Sequence, residues 1–161
     1  MTEGSRRGVT RGYVGGLILA AVIVAAALTV AVWGVLGLLL DRSPVTSESA
    51  PLWAAPVIIA LALLLLAWGL WLQALTLLRG RRTPPWGYVV SWAGGAYLIW
   101  CLGGVLAGMT IEDTWVSPFA VVLAPIWAIA ALVFWAVLAR RVYTDRDVPK
   151  WPWERRVEGE D

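Results

Sequence analysis

Histidine is absent from this chain, and with it go the usual haem ligand, most zinc and copper sites and the commonest general acid–base group. A single cysteine, Cys101, excludes an intramolecular disulfide and CxxC redox chemistry. Met1 and Met109 are the only methionines, which leaves little for thioether ligation of haem or copper. No G-x-x-x-x-G-K-[ST], G-x-S-x-G or H-E-x-x-H occurs. Lysine is nearly missing as well: of 13 basic residues only Lys150 is not arginine. That skew, with abundant Ala, Val and Leu, fits the coding bias of a high-GC bacterial genome.

The most informative absence is positional. No Asp, Glu, Lys or Arg lies between Arg11 and Asp41, Glu48 and Arg79, Arg82 and Glu112, or Asp113 and Arg140. Each gap exceeds the ~20 apolar residues that cross a hydrocarbon core ~30 Å thick. With 60% hydrophobic residues and a mean hydropathy of +0.72, the gaps are too long and too apolar for a small soluble bundle. They predict an all-α membrane protein with four transmembrane helices. The first run follows Arg6, Arg7 and Arg11, as in a signal peptide, but it outlasts an h-region of roughly 7–15 residues and shows no clear cleavage site. It is read as a retained helix.

The expected organisation is a cytoplasmic arm at 1–12, a hairpin at 13–82, a second hairpin at 83–141 and a cytoplasmic tail at 142–161. The four helices fall at about 14–40, 52–78, 86–108 and 115–139, with outer loops at 41–51 and 109–114. Arginine sets the orientation. Arg6, Arg7, Arg11, Arg79, Arg81, Arg82, Arg140 and Arg141 share one side with the rest of the tail, and only Arg42 falls on the other. Both termini are therefore expected in the cytoplasm of a bacterial cell, with the helices in its plasma membrane. The net charge of +2 is explained by topology and does not suggest nucleic acid.

Aromatic spacing agrees. Tyr13 and Trp33, Trp53 and Trp71, and Trp115 and Trp135 lie 18 to 20 residues apart, or about 30 Å at ~1.5 Å per residue. Trp86 marks the inner end of the third helix. All seven are expected as interfacial anchors, with the ring in lipid and the polar tip toward water. The hairpins also share signals: Trp53-Ala-Ala-Pro56 resembles Trp115-Val-Ser-Pro118, and each hairpin ends in a double arginine. Two tandem hairpins in parallel pseudo-repeat are expected, unlike the inverted repeats of many transporters.

The third helix carries a row of small residues, Gly87, Ser91, Gly95, Gly103 and Ala107, with Gly104 and Gly108 beside it. In lipid such rows let backbones approach, so this helix is expected at the centre of the packing, within its own chain. Pro125, in mid-span, should free a carbonyl near Val121 and kink the fourth helix. Gln73 is read as an interfacial residue reaching water, ahead of a cross-helix hydrogen bond.

No ionisable group lies in any span, so the residues that mark pumps, proton-coupled transporters and voltage sensors are missing. Ser91, Ser117, Thr29 and Thr76 have no base beside them. No enzyme and no cofactor is expected. The acids Asp41, Glu48, Glu112 and Asp113 are read as a solvated loop, ahead of a cation site. In the tail, Trp151, Trp153, Arg155 and Arg156 suit the lipid headgroup layer, or else a protein docking segment. The functional expectation is a non-enzymatic accessory subunit, assembly factor or scaffold that contacts the lipid bilayer and a membrane-protein partner or further copies of itself. The alternative is a small oligomeric channel, holin-like pore or uniporter.

Overall fold

The computed structural model describes residues 11–47, 49–78 and 86–143. Among them the chain is all-helical. Its elements are α1 (Arg11–Leu40), α2 (Ala54–Leu78), α3 (Trp86–Leu106), α4 (Ile111–Thr114), α5 (Pro118–Val121) and α6 (Leu123–Tyr143). Four stretches are long and apolar enough to cross a membrane: Gly12–Leu40, Ala54–Leu77, Trp86–Leu106 and Pro118–Arg141. A helix satisfies its own backbone hydrogen bonds, which hydrocarbon requires of any segment that spans it. The protein is a membrane-embedded four-helix bundle of two hairpins, α1–α2 and α3–α6.

Both hairpins turn by the same device. After α1, Asp41 adopts φ 48° and the N–H of Arg42 reaches back to the Gly37 carbonyl at 3.2 Å. After α3, Gly108 adopts φ 83° and the N–H of Met109 reaches the Gly104 carbonyl at 2.9 Å. Each is a left-handed helix ending with a six-to-one hydrogen bond. Gly108 thus serves the turn through its φ rather than packing as a member of the small-residue row.

The fourth span begins at Pro118 because residues 111–114 form a separate turn, α4. Within the span the helix breaks at Val122. Pro125 has no N–H to offer the Val121 carbonyl. The ladder resumes with the N–H of Ile126 on the Val122 carbonyl at 3.3 Å.

In cross-section the helices form a ring in the order α1, α2, α3, α6, with α2 and α6 also in contact across one diagonal. The α1 and α3 backbones stay apart, with no Cα pair within 8 Å among the described residues, and the two helices meet through the Trp33 and Trp100 rings. The third helix, expected at the centre of the packing, shares the two most extensive interfaces of the bundle, with α2 and with α6. Across the diagonal Trp127 of α6 is fully buried and donates its indole N–H to the Ala62 carbonyl of α2 at 3.1 Å. Leu66, Leu70, Phe134 and Leu138 complete the filled axis.

Candidate functional site

Polar chemistry gathers at the loop end of the bundle, where the α1–α2 connection meets the segment between α3 and α5. Asp113, on the one-turn helix α4, is fully buried. Its Oδ1 accepts hydrogen bonds from Arg42 Nη2 at 2.9 Å and Thr46 Oγ1 at 2.7 Å. Its Oδ2 accepts from the Thr46 N–H at 2.9 Å, the Ser47 N–H at 2.9 Å and Ser47 Oγ at 2.6 Å. Ser47 Oγ in turn accepts from the Thr110 N–H at 3.0 Å, and Ser49 Oγ donates to the Gly108 carbonyl at 2.9 Å. Burial pushes the Asp113 carboxyl up. The hydrogen bonds from Ser47, Thr46 and Arg42 outweigh it and hold the group well below the usual carboxylate range.

Three aromatic side chains brace the same cap from the spans. Trp100 donates its indole N–H to the Asp113 carbonyl at 3.1 Å. Trp33 does so to Phe119 at 2.9 Å, and the Tyr97 hydroxyl donates to the Trp115 carbonyl at 2.8 Å. Trp33 and Trp100 meet edge to face with ring centroids 4.9 Å apart. An indole or phenol placed at the end of a span carries an apolar body and one strong donor, and here the donor serves backbone rather than water.

The solvated reading of the acids therefore fails for Asp113, because its partners lie on another loop some 70 residues away. Its oxygens already hold a guanidinium, two hydroxyls and two amides. Glu48 lies outside the described residues, as do Trp151, Trp153, Arg155 and Arg156. Among the described residues no three His, Cys, Asp or Glu side chains are placed to share a metal ion.

The seven aromatics proposed as anchors divide. Trp53 and Trp86 are exposed, and Tyr13, Trp71 and Trp115 are partly so. Trp135 is half-buried, with an indole N–H that lacks a partner among the described residues. Trp33 belongs to the cap.

The small-residue row of α3 divides too. Gly95 faces Leu65 and Gly103 faces Ile58, so a Cβ would come within about 3 Å of each. At Gly104 a Cβ would stand 2.5 Å from Thr114 Cγ2. Gly87 has nothing within 4 Å of that position; Ser91 is exposed and Ala107 half-buried. A closer approach went unread: Gly69 of α2 lies flat against the Trp92 indole, leaving no room for a methyl group.

Gln73 departs from the interfacial expectation. It is buried, and neither amide atom has a partner among the described residues. It lies on the face of α2 that carries Leu66, Leu70 and Leu77, all buried. That four-three-four spacing was the signal for burial.

A family model matches residues 9–161, which takes in all four spans and every residue of the cap network. The chain belongs to this family, DUF6121, a family of unknown function. No curated protein matches the chain, and no solved structure does.

Proposed function

We propose that this DUF6121 chain is a multi-pass protein of a bacterial plasma membrane, with both termini cytoplasmic, that serves another membrane protein as a non-enzymatic accessory subunit, assembly factor or scaffold. The observation that carries this reading is the closure of the cap. Asp113 is saturated by five donor contacts, and aromatic donors occupy the carbonyls of residues 113, 115 and 119. Groups committed in this way hold a shape and are not free to attack or protonate a substrate. The bundle axis is filled by Trp100, Trp127, Leu66 and Phe134, so a pore would have to be built between copies.

What such a bundle offers is its lipid-facing surface. On α3, Gly87 and Gly94 have open space at the Cβ position, and Ser91 between them is exposed. A neighbouring helix could approach closely there. The arginine bias supports the orientation.

Crosslinking of the tagged full-length chain in native membranes, followed by mild-detergent purification, tests the reading. A single membrane protein in fixed ratio is expected, and Gly94→Leu should release it without unfolding the bundle. Recovery of the chain alone would sink the scaffold reading, and solute flux through liposomes holding only this chain would replace it with the pore. For orientation, Ser43→Cys should react with a membrane-impermeant maleimide added outside intact cells; protection there would reverse the topology.

A further inference from the structure

The cap at the loop end of the bundle carries large apolar side chains that the described residues leave bare. Leu52, just before α2, is 98% exposed, and Ile111 on α4 and Val116 just after it are 66% and 73% exposed. The end of α1 flanks the same cap. Trp33 reaches the Phe119 carbonyl at 2.9 Å, and Arg42, just past the helix, reaches Asp113 at 2.9 Å. The stretch of α1 between them, about 10 Å of helix, therefore runs alongside the cap. It holds no charge before Asp41, and its Leu38 and Leu39 are exposed. In water these residues together would make a large bare apolar surface. They continue the surface of α1 within its span, where Val30 and Val35 are exposed in the same way.

Inside, the cap meets the condition that lipid imposes. Backbone outside a helix is tolerated at membrane depth only where protein supplies its hydrogen bonds. The Asp113 carboxylate takes all five of its contacts from the α1–α2 connection. The carbonyls of residues 113, 115 and 119 accept from Trp100, Tyr97 and Trp33. A loop in bulk water does not need an indole or a phenol on its carbonyls, because water serves them. Polar side chains that stay exposed, Asp41, Ser43 and Glu112, sit on the connections themselves and leave the cap a wet crown.

We propose that the cap is immersed in the membrane as a re-entrant element, with lipid acyl chains against Leu38, Leu52, Ile111 and Val116 and with Asp41, Ser43 and Glu112 at the water boundary. Acyl chains are the partner because the bare surface is uncharged and continues the lipid-facing side of α1. Immersion of the cap does not depend on the accessory role.

Nitroxide labels at single cysteines test the depth in the full-length chain, in phosphatidylcholine liposomes and on a Cys101→Ala background. Oxygen concentrates in hydrocarbon and a nickel chelate stays in water, so the ratio of their collision rates with a label reports its surroundings. Ile111→Cys and Val116→Cys are expected to give a ratio at least about threefold above that of Ser43→Cys and close to that of Leu61→Cys, an exposed position within the second span and so within the hydrocarbon core. Each substitution replaces an exposed side chain, and the melting temperature should stay unchanged. A ratio at Ile111 and Val116 equal to that at Ser43 would place the cap in water and overturn the proposal. Slow collisions with both reagents would overturn it as well, by assigning the bare surface to a second copy or another protein.

Discussion

Arg42 and Asp113, separated by 71 residues in sequence, meet at 2.9 Å with the carboxylate fully buried and the guanidinium about one-third exposed. The pair ties the two hairpins together at the loop end of the bundle. The asymmetry matters: the acid depends on protein for all its solvation, whereas the base keeps access to water.

Asp113→Asn should therefore cost more than Arg42→Met. Asparagine turns one acceptor into a donor that faces Thr46 and Ser47, and we expect a loss of about 3 kcal/mol. Removing Arg42 leaves the other four hydrogen bonds to the carboxylate in place and should cost about 1 kcal/mol. Thermal unfolding in detergent, with the two variants side by side, reads the order; equal losses would mean that the charged pair dominates.

Stability should also depend on pH through Asp113. Its carboxyl is held below the ordinary value in the folded chain, so the unfolded chain binds the proton first as pH falls. The contribution is fully present above the unfolded pKa of about 3.9 and is lost as pH drops through the folded value. The melting temperature should be level from pH 8 to 5 and fall below about pH 4. Asp113→Asn should flatten that acid limb.

Gly69 and Gly94 should respond in opposite directions to the same change. A methyl group at Gly69 would run into the Trp92 indole, and Gly69→Ala should destabilise by about 1–3 kcal/mol as α2 and α3 separate. At Gly94 the space is open, and Gly94→Ala should gain a few tenths to about 1 kcal/mol from helix propensity. Trp92→Leu should recover part of the loss in a double-mutant cycle. Additive effects would deny the contact.

Pro125→Ala restores an N–H to a stretch where the helix is broken at Val122. α5 and α6 should join, and amide exchange at residues 122–125 should slow by about fivefold, the effect of one hydrogen bond worth ~1 kcal/mol. The straightened helix would draw Phe119 away from Trp33, so a structure of the variant should show their 2.9 Å hydrogen bond lengthened or lost.

The four spans were legible in the sequence because charge cannot be hidden in hydrocarbon, and a run of 29 or 24 apolar residues has few other uses. The cap was not. Asp113 sits in an acidic pair with Glu112 in a short connection between two spans, as a solvated acid would, and only the fold brings Thr46 and Ser47 to it. Tryptophan misled for a related reason: an indole at the end of a span suits a headgroup or a backbone carbonyl equally, and Trp33 found the carbonyl of Phe119. The spacing of small residues on α3 did mark close approach at Gly95 and Gly103. The same helix turns Gly87 and Gly94 outward, and composition does not distinguish a face packed in its own chain from one left open.

The distance in sequence between Arg42 and Asp113 also sets an order of events during synthesis. Ribosomes add about 5–20 residues per second, so the 71 residues between them take about 4–14 s to appear. Through that interval the first hairpin can already lie in the bilayer with Thr46 and Ser47 unpartnered. The arrival of residue 113 on the same side of the membrane then completes the join, making the cap a late checkpoint on whether both hairpins were inserted the right way round.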